Sequence, residues 1–299
     1  MKKEYIKPEM QMHEIKAQQM LAGSETPGFN PGQKPDDIMG KNIEHRQQEE
    51  RQFQHQSFPP SEQTQTEKAL ALIDTFATGD TDIAKELLAE DYIQHNLAYG
   101  TGRDAFISSV EYLASADEKT TVENIRAFED GDKVFLQTVY NFAGAGEQVA
   151  FDIFRFDNEG KIAEHWDNLA AKAEPNPSGH TQIDGTMEVT DLDKTEENRK
   201  LVEDFLYDVM QGNNLDKTPD YFDGDTYIQH NTGIADGVSG LNEALAALAE
   251  QNIQMIYTTT HQVLAQGNFV LAVSEGTFGD KPTAYYDLWR VENGKIAEH

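Results

Sequence analysis

Cysteine is absent from this chain. That excludes disulfides, thiolate nucleophiles and Cys-ligated zinc or iron–sulfur centres. Positive charge is scarce: 24 Lys and Arg stand against 53 Asp and Glu, for a formal net charge of -29. The imbalance is uneven, because residues 1–62 hold eight Lys/Arg against ten Asp/Glu and the remainder holds 16 against 43. An acidic surface of that size repels phosphate backbones and anionic lipid, so nucleic-acid and membrane-surface partners are disfavoured. No run approaches the ~18 to 20 apolar residues that cross a bilayer. Also missing are H-E-x-x-H and G-x-S-x-G. Gly144-Ala145-Gly146 lies between strand-like runs instead of opening a helix, so it is no phosphate loop.

The apolar fraction, 38%, is low for a compact chain, and the deficit lies mostly at the N-terminus. The basic start, Met1–Lys7, is not followed by an apolar stretch, so a standard secretory signal is not expected and a cytoplasmic location is. Gly23–Pro35 and Gln47–Gln65 are rich in Gly, Pro, Ser, Gln and charge, too polar to offset the entropy of ordering. Residues 1–63 therefore read as a mostly disordered tail, with one short amphipathic helix over Met10–Leu21.

Beyond the tail the chain repeats itself. Tyr92-Ile93-Gln94-His95-Asn96 recurs as Tyr227-Ile228-Gln229-His230-Asn231, 135 positions later. Phe151-Asp152-Ile153-Phe154-Arg155 recurs as Tyr286-Asp287-Leu288-Trp289-Arg290 at the same offset, and Gly160–His165 recurs identically as Gly294–His299 at 134. Three ordered matches establish a duplication. One copy spans residues 64–183, a linker 184–194, and a second copy, shorter at its C-terminal end, 195–299.

Each copy reads as helices followed by strands, an α+β class. In the first, helices are expected at Glu67–Thr78, Asp82–Leu88 and Asp104–Leu113. Four strand-like runs follow near 120–128, 133–142, 148–156 and 161–170, separated by turn signals, which implies an antiparallel meander. The second copy has helices near 196–211 and 238–250, then strands near 253–265, 268–277 and 283–291, with a last one from Lys295. If Phe156 pairs with Lys161, Asp152 stands opposite His165 and Ala150 opposite Asp167. If Val291 pairs with Lys295, Asp287 stands opposite His299. His165 and Asp167 then share one face while Glu164 and Trp166 take the other. An Asp–His pair inside a pocket is an acid/base candidate; on a solvent face it is only a cross-strand ion pair. The four side chains His95, His165, Asp152 and Asp167 could also surround an ion, although no close-spaced ligand motif is present.

The YIQHN string, FDIFR and GKIAEHWD together resemble the SnoaL-like branch of the NTF2-like superfamily, most nearly its aldol-condensation subgroup. The resemblance covers both copies. It implies two α+β cone domains, each with N-terminal helices packed in a curved antiparallel sheet around a deep pocket. Relatives include polyketide cyclases, ketosteroid isomerase and limonene epoxide hydrolase, alongside non-catalytic binders. The implied activity is a cofactor-independent lyase or isomerase acting on a small hydrophobic carbonyl compound, with no metal and no organic cofactor. Asp167 falls where cyclases and epoxide hydrolases of this fold place an acid/base aspartate, with His165 and His95 orienting or polarising the substrate. Tyr92, Asn96 and Asp152, and in the second copy His230, Asp287 and His299, are the expected substrate contacts. For His95 and His230 the alternative is a packed loop in which the imidazole caps the backbone. Superfamily members commonly dimerise through their sheets, so an internal pseudo-dimer or a homodimer is expected. If Asp167 is catalytic, the second copy lacks its counterpart.

Overall fold

The computed structural model describes residues 63–299. The expected disordered tail and its Met10–Leu21 helix lie outside the described residues. Helix α1 (Gln65–Thr78) starts on a reciprocal cap: the Thr64 hydroxyl accepts from the Glu67 amide, and the Glu67 carboxylate accepts from the Thr64 amide. It stops at Gly79, whose φ of +77° is a left-handed conformation that glycine adopts without a steric penalty. Asp80 accepts from the amides of Asp82 and Ile83 and so begins α2 (Thr81–Leu87). Strand β1 (Leu88–Gln94) follows directly, then α3 (Arg103–Ser115) and the strands β2 (Thr121–Asp130), β3 (Lys133–Asn141), β4 (Glu147–Phe156) and β5 (Ile162–Ala171).

The five strands form one sheet in the order β1-β5-β4-β3-β2. Strands β2 to β5 are the expected antiparallel meander, but β1 pairs with β5 in parallel, so the sheet is mixed. The segment carrying Tyr92 to Gln94 is thus a strand and not the loop after a helix. Its partner lies some seventy residues away, and no local turn announces the pairing.

The second copy repeats the plan with α4 (Thr195–Phe205), which runs on into a π-type turn at Leu206–Met210, and α5 (Gly237–Glu250). Its strands β6 (Met255–Gln266), β7 (Phe269–Phe278), β8 (Lys281–Glu292) and β9 (Lys295–Glu298) pair in sequence order. The counterpart of β1 is a single parallel bridge between Ile228 and Glu298.

Strands β3 and β7 are buried over almost their whole length because each serves two cores. In β3, Val134 and Leu136 face the helices of their own copy, while Phe135 faces outward. In β7, Val270 and Ala272 face their helices, and Phe269, Leu271 and Val273 face outward. The two outward faces meet in one apolar cluster, which adds Phe128, Ile153 and Leu264. Around it, Asp130 receives Arg199 Nη1 at 2.8 Å, Arg199 Nη2 at 3.1 Å and the Ala265 amide at 3.1 Å.

Residues 172–194, which include the expected linker, form a strap across both copies. The buried Arg126 guanidinium donates to three of its carbonyls, those of Thr186 at 2.8 Å, Ile183 at 3.2 Å and Asp184. Buried Asn176 anchors the other side, donating to the carbonyls of Gln229 at 2.5 Å and Ile234 at 3.0 Å. Among the described residues no helix is long and apolar enough to cross a membrane.

Phe135 is fully buried in the inter-sheet cluster, so Phe135→Ala should destabilise the protein by about 3–5 kcal/mol. A lowered urea midpoint at unchanged slope would report it, and an unchanged midpoint would mean that the sheets do not pack this way.

Candidate functional site

The β4–β5 hairpin sets which side chains face the helices. Asp157 shapes its turn, accepting from the amides of Glu159 at 2.8 Å and Lys161 at 2.9 Å. Phe156 pairs with Ile162 and not with Lys161, and a bulge at Ala163 then brings Arg155 opposite Glu164. The register therefore differs from the expected one: Asp167 stands opposite Asp152, and His165 opposite Phe154. The turn and the bulge each add one residue of slip. Two slips restore the face that one would have reversed, so the expected side chains still converge, now on a diagonal. In the second copy Asn293 and Gly294, both at positive φ, make a two-residue turn, and the same bulge recurs between Arg290 and Val291.

Inside the first copy, His165 Nε2 lies 2.8 Å from Asp152 Oδ1 and 3.6 Å from Asp167 Oδ2. All three side chains are 4–6% exposed. The Tyr140 hydroxyl donates to the other Asp152 oxygen at 3.0 Å. Asn96 Nδ2 donates to Asp167 Oδ1, and Gln94 Nε2 approaches Oδ2 at 3.4 Å. On the far side of the imidazole, Nδ1 meets Gln94 Nε2 at 2.9 Å and the Tyr92 hydroxyl at 3.2 Å. The Gln94 donor fits a neutral ring protonated at Nε2, while the Tyr92 oxygen can accept from a charged one. Phe154 stacks on the ring at 4.2 Å.

Burial raises the Asp167 pKa above the ordinary carboxylate value, and the Asp152 charge adds to it against the opposing pull of His165, Asn96 and Gln94. Burial also opposes charging of His165, but the Asp152 hydrogen bond and the two carboxylate charges outweigh it and raise that pKa. The three groups lie close enough to share a proton or to hold a metal ion.

His95 is not part of this group, which corrects its expected catalytic role. Along β1 the side chains alternate, so Tyr92 and Gln94 point inward and His95 points to the other face. There it stacks on Trp166 at 4.5 Å, and its Nε2 meets Glu164 at 2.7 Å. Arg155 Nε reaches the other oxygen of Glu164 at 2.7 Å. Asn96 turns back inward through its own turn, accepting from the Ala98 amide at 2.9 Å.

The second copy repeats both faces. Inside, His299 Nε2 meets Asp287 at 3.0 Å, Gln229 Oε1 lies 3.2 Å from Nδ1, and Tyr257 donates to Asp287 at 3.1 Å. Outside, His230 meets Glu298 at 2.6 Å, and Arg290 Nε reaches the other oxygen at 2.5 Å. His230, expected as a substrate contact, thus faces away from Asp287 and His299 for the same reason as His95.

Sequence reasoning missed Gln94, Tyr140 and Tyr257, whose only signal was aromatic or amide character on a strand. It also missed His180 and Asp184. These lie four residues apart in the strap, and their ligand atoms come within 4.8 Å of those of His230.

Because the His165 pKa is raised on folding, its contribution to stability is full below about pH 6.5 and fades as pH rises through the folded value. The raised Asp167 pKa acts in the same direction, from a lower starting point. Wild type should therefore lose more melting temperature than His165→Gln between about pH 6 and 8.5. Parallel curves for the two proteins would contradict this.

The SnoaL-like domain model matches residues 69–165 and 202–299. A comparison with curated protein sequences gave no match. Among solved structures, IdmH of Streptomyces antibioticus, described as a candidate polyketide cyclase, is 19% identical with a TM-score of 0.30, covering 36% of this chain and 92% of IdmH. TsrD of Streptomyces laurentii is 19% identical with a TM-score of 0.31, covering 34% of this chain and 85% of TsrD. An LEH-like epoxide hydrolase of M. tuberculosis is 15% identical with a TM-score of 0.32, covering 35% of this chain and 81% of that one. The two matched regions take up well over half of the chain, which belongs to the SnoaL-like family and carries its domain twice in an NTF2-like fold.

Proposed function

We propose that the first copy is a cofactor-independent acid–base catalyst, a lyase or isomerase acting on a small hydrophobic carbonyl compound. The observation that carries this reading is a buried carboxylate with a raised pKa, Asp167, beside a buried Asp152–His165 pair. A carboxylate whose pKa is moved toward neutrality is a better general base. Asp167 would take the proton next to the substrate carbonyl. His165, fixed by Asp152 and lying 3.6 Å from Asp167, would return a proton to the enolate or to the alkoxide of an aldol step. The substrate's α C–H would take the place of the Asn96 amide on Asp167, leaving that amide free to donate to the substrate carbonyl.

A second reading is a non-catalytic small-molecule binder. It is favoured by the closeness of the triad, whose members satisfy one another. A cavity of about 330 Å³ lies elsewhere, in the second copy, lined by Leu206, Tyr207, His261 and Val263 among others. In either reading, we infer that the joined sheets serve as an internal dimer, so that sedimentation should give a monomer of 33.5 kDa.

The test begins with ketones and aldehydes that raise the melting temperature, since a ligand of the native state stabilises it. In heavy water the protein should catalyse exchange of their α-protons, and Asp167→Asn should lower that rate by about 100-fold or more while remaining folded. Binding without exchange would leave the binder reading in place. Exchange unaffected by Asp167→Asn would remove Asp167 from the mechanism.

A further inference from the structure

The strap closes onto the second copy through two imidazoles whose four ring nitrogens all face oxygen acceptors. His180 Nδ1 lies 3.2 Å from Asp184 Oδ2, and its Nε2 lies 3.1 Å from Asp236. His230 Nδ1 lies 2.9 Å from Asp184 Oδ1 and 2.7 Å from the Thr181 carbonyl, while its Nε2 lies 2.6 Å from Glu298. A neutral imidazole has one N–H, so one nitrogen of each ring must present a lone pair. The outer carboxylates are themselves fixed: Glu298 by Arg290, and Asp236 by the Gln229 amide at 2.9 Å. They hold both Nε2–H groups. In neutral rings the two Nδ1 lone pairs would then be aimed at the same carboxylate, Asp184, an arrangement relieved either by protonating both rings or by a cation between them.

We propose that His180, Asp184 and His230 form a binding site for a divalent transition-metal ion of the zinc class. Their ligand atoms lie within 4.8 Å of one another. Zinc bonds of about 2.0–2.2 Å place tetrahedral ligands roughly 3.3 Å apart, so small adjustments admit the ion. Two nitrogens and a carboxylate suit zinc better than calcium or magnesium, which take oxygen alone. Carboxylates on the far nitrogens of both ligating histidines are the usual support of such a site. The Thr181 carbonyl or a water completes the shell. Gly185 permits the approach: at φ +85°, a Cβ there would fall 2.0 Å from Glu298 Oε1 and 3.1 Å from His230 Nε2. The equivalent clamp of the first copy has no such site among the described residues, because His95 stacks on Trp166 there and no second histidine reaches it. The ion would fasten the strap, and through Arg126 the first copy, to the second.

Titration of the chelator-treated full chain with Zn²⁺ should give one tight site and raise the melting temperature by roughly 5 °C at saturating metal. Co²⁺ in its place should give the visible absorption of a tetrahedral site. His180→Ala and Asp184→Asn should each weaken the site by about 10-fold or more, whereas Asp167→Asn, in the other three-ligand group, should leave it unchanged. If one variant fails to fold, the other and the Co²⁺ spectrum still decide. Absence of a tight site would overturn the proposal and leave two protons in the place of the ion. So would a tight site that survives both variants, or one lost in Asp167→Asn.

Discussion

The apolar contact between the outer faces of the two sheets is the constraint from which the rest follows. A sheet wrapped on its own helices still has a second face, and β3 and β7 carry large apolar side chains there. Phe135 in one copy and Phe269, Leu271 and Val273 in the other would otherwise meet water, at about 25 cal/mol for each Å² of apolar surface. Duplication supplies the partner surface within one chain. Asp130, with Arg199 and the Ala265 amide on its carboxylate, then fixes the relative position of the sheets at one end of the contact.

With the outer faces committed to packing, polar chemistry is left to the inner faces and the rims. Placing Asp152, His165 and Asp167 in the interior costs on the order of several kcal/mol per ion unless each finds partners. They do: Tyr140, Tyr92, Gln94 and Asn96 account for the remaining donors and acceptors. The three repeated strings explain one another in these terms. YIQHN gives an inward Tyr, Gln and Asn and an outward His; FDIFR gives an inward Asp and an outward Arg; GKIAEH gives an outward Glu and an inward His. Each copy thus has an Asp–His pair inside and a His–Glu–Arg clamp outside.

The copies are alike in plan but not in surroundings. The clamp of the first packs under Trp166, while that of the second is closed over by the strap, with His180 and Asp184. The strap has little regular structure, yet its backbone is held by side chains from both copies. Arg126 alone takes three of its carbonyls, which is how a segment whose regular structure is a single 3-10 turn at Leu192–Lys194 is held in place.

The sequence by itself determined the duplication, the α+β order and the family, because each is written in local strings: helix caps, turn residues, and alternating runs repeated at a constant offset. It also determined that His165 and Asp167 share a face, since alternation along a strand is local. Tertiary structure alone decided the rest. The parallel pairing of β1 with β5 joins distant segments without a turn to mark it, and it sent His95 and His230 outward where Gln94 and Gln229 went in. The bulge at Ala163 set the diagonal between Asp152 and His165, and no residue there announces it. The meeting of His180 and Asp184 with His230 depends on where a strap of irregular backbone comes to rest. That position follows from hydrogen bonds such as those of Arg126 and Asn176, made across the whole molecule, and no periodicity in the chain encodes them.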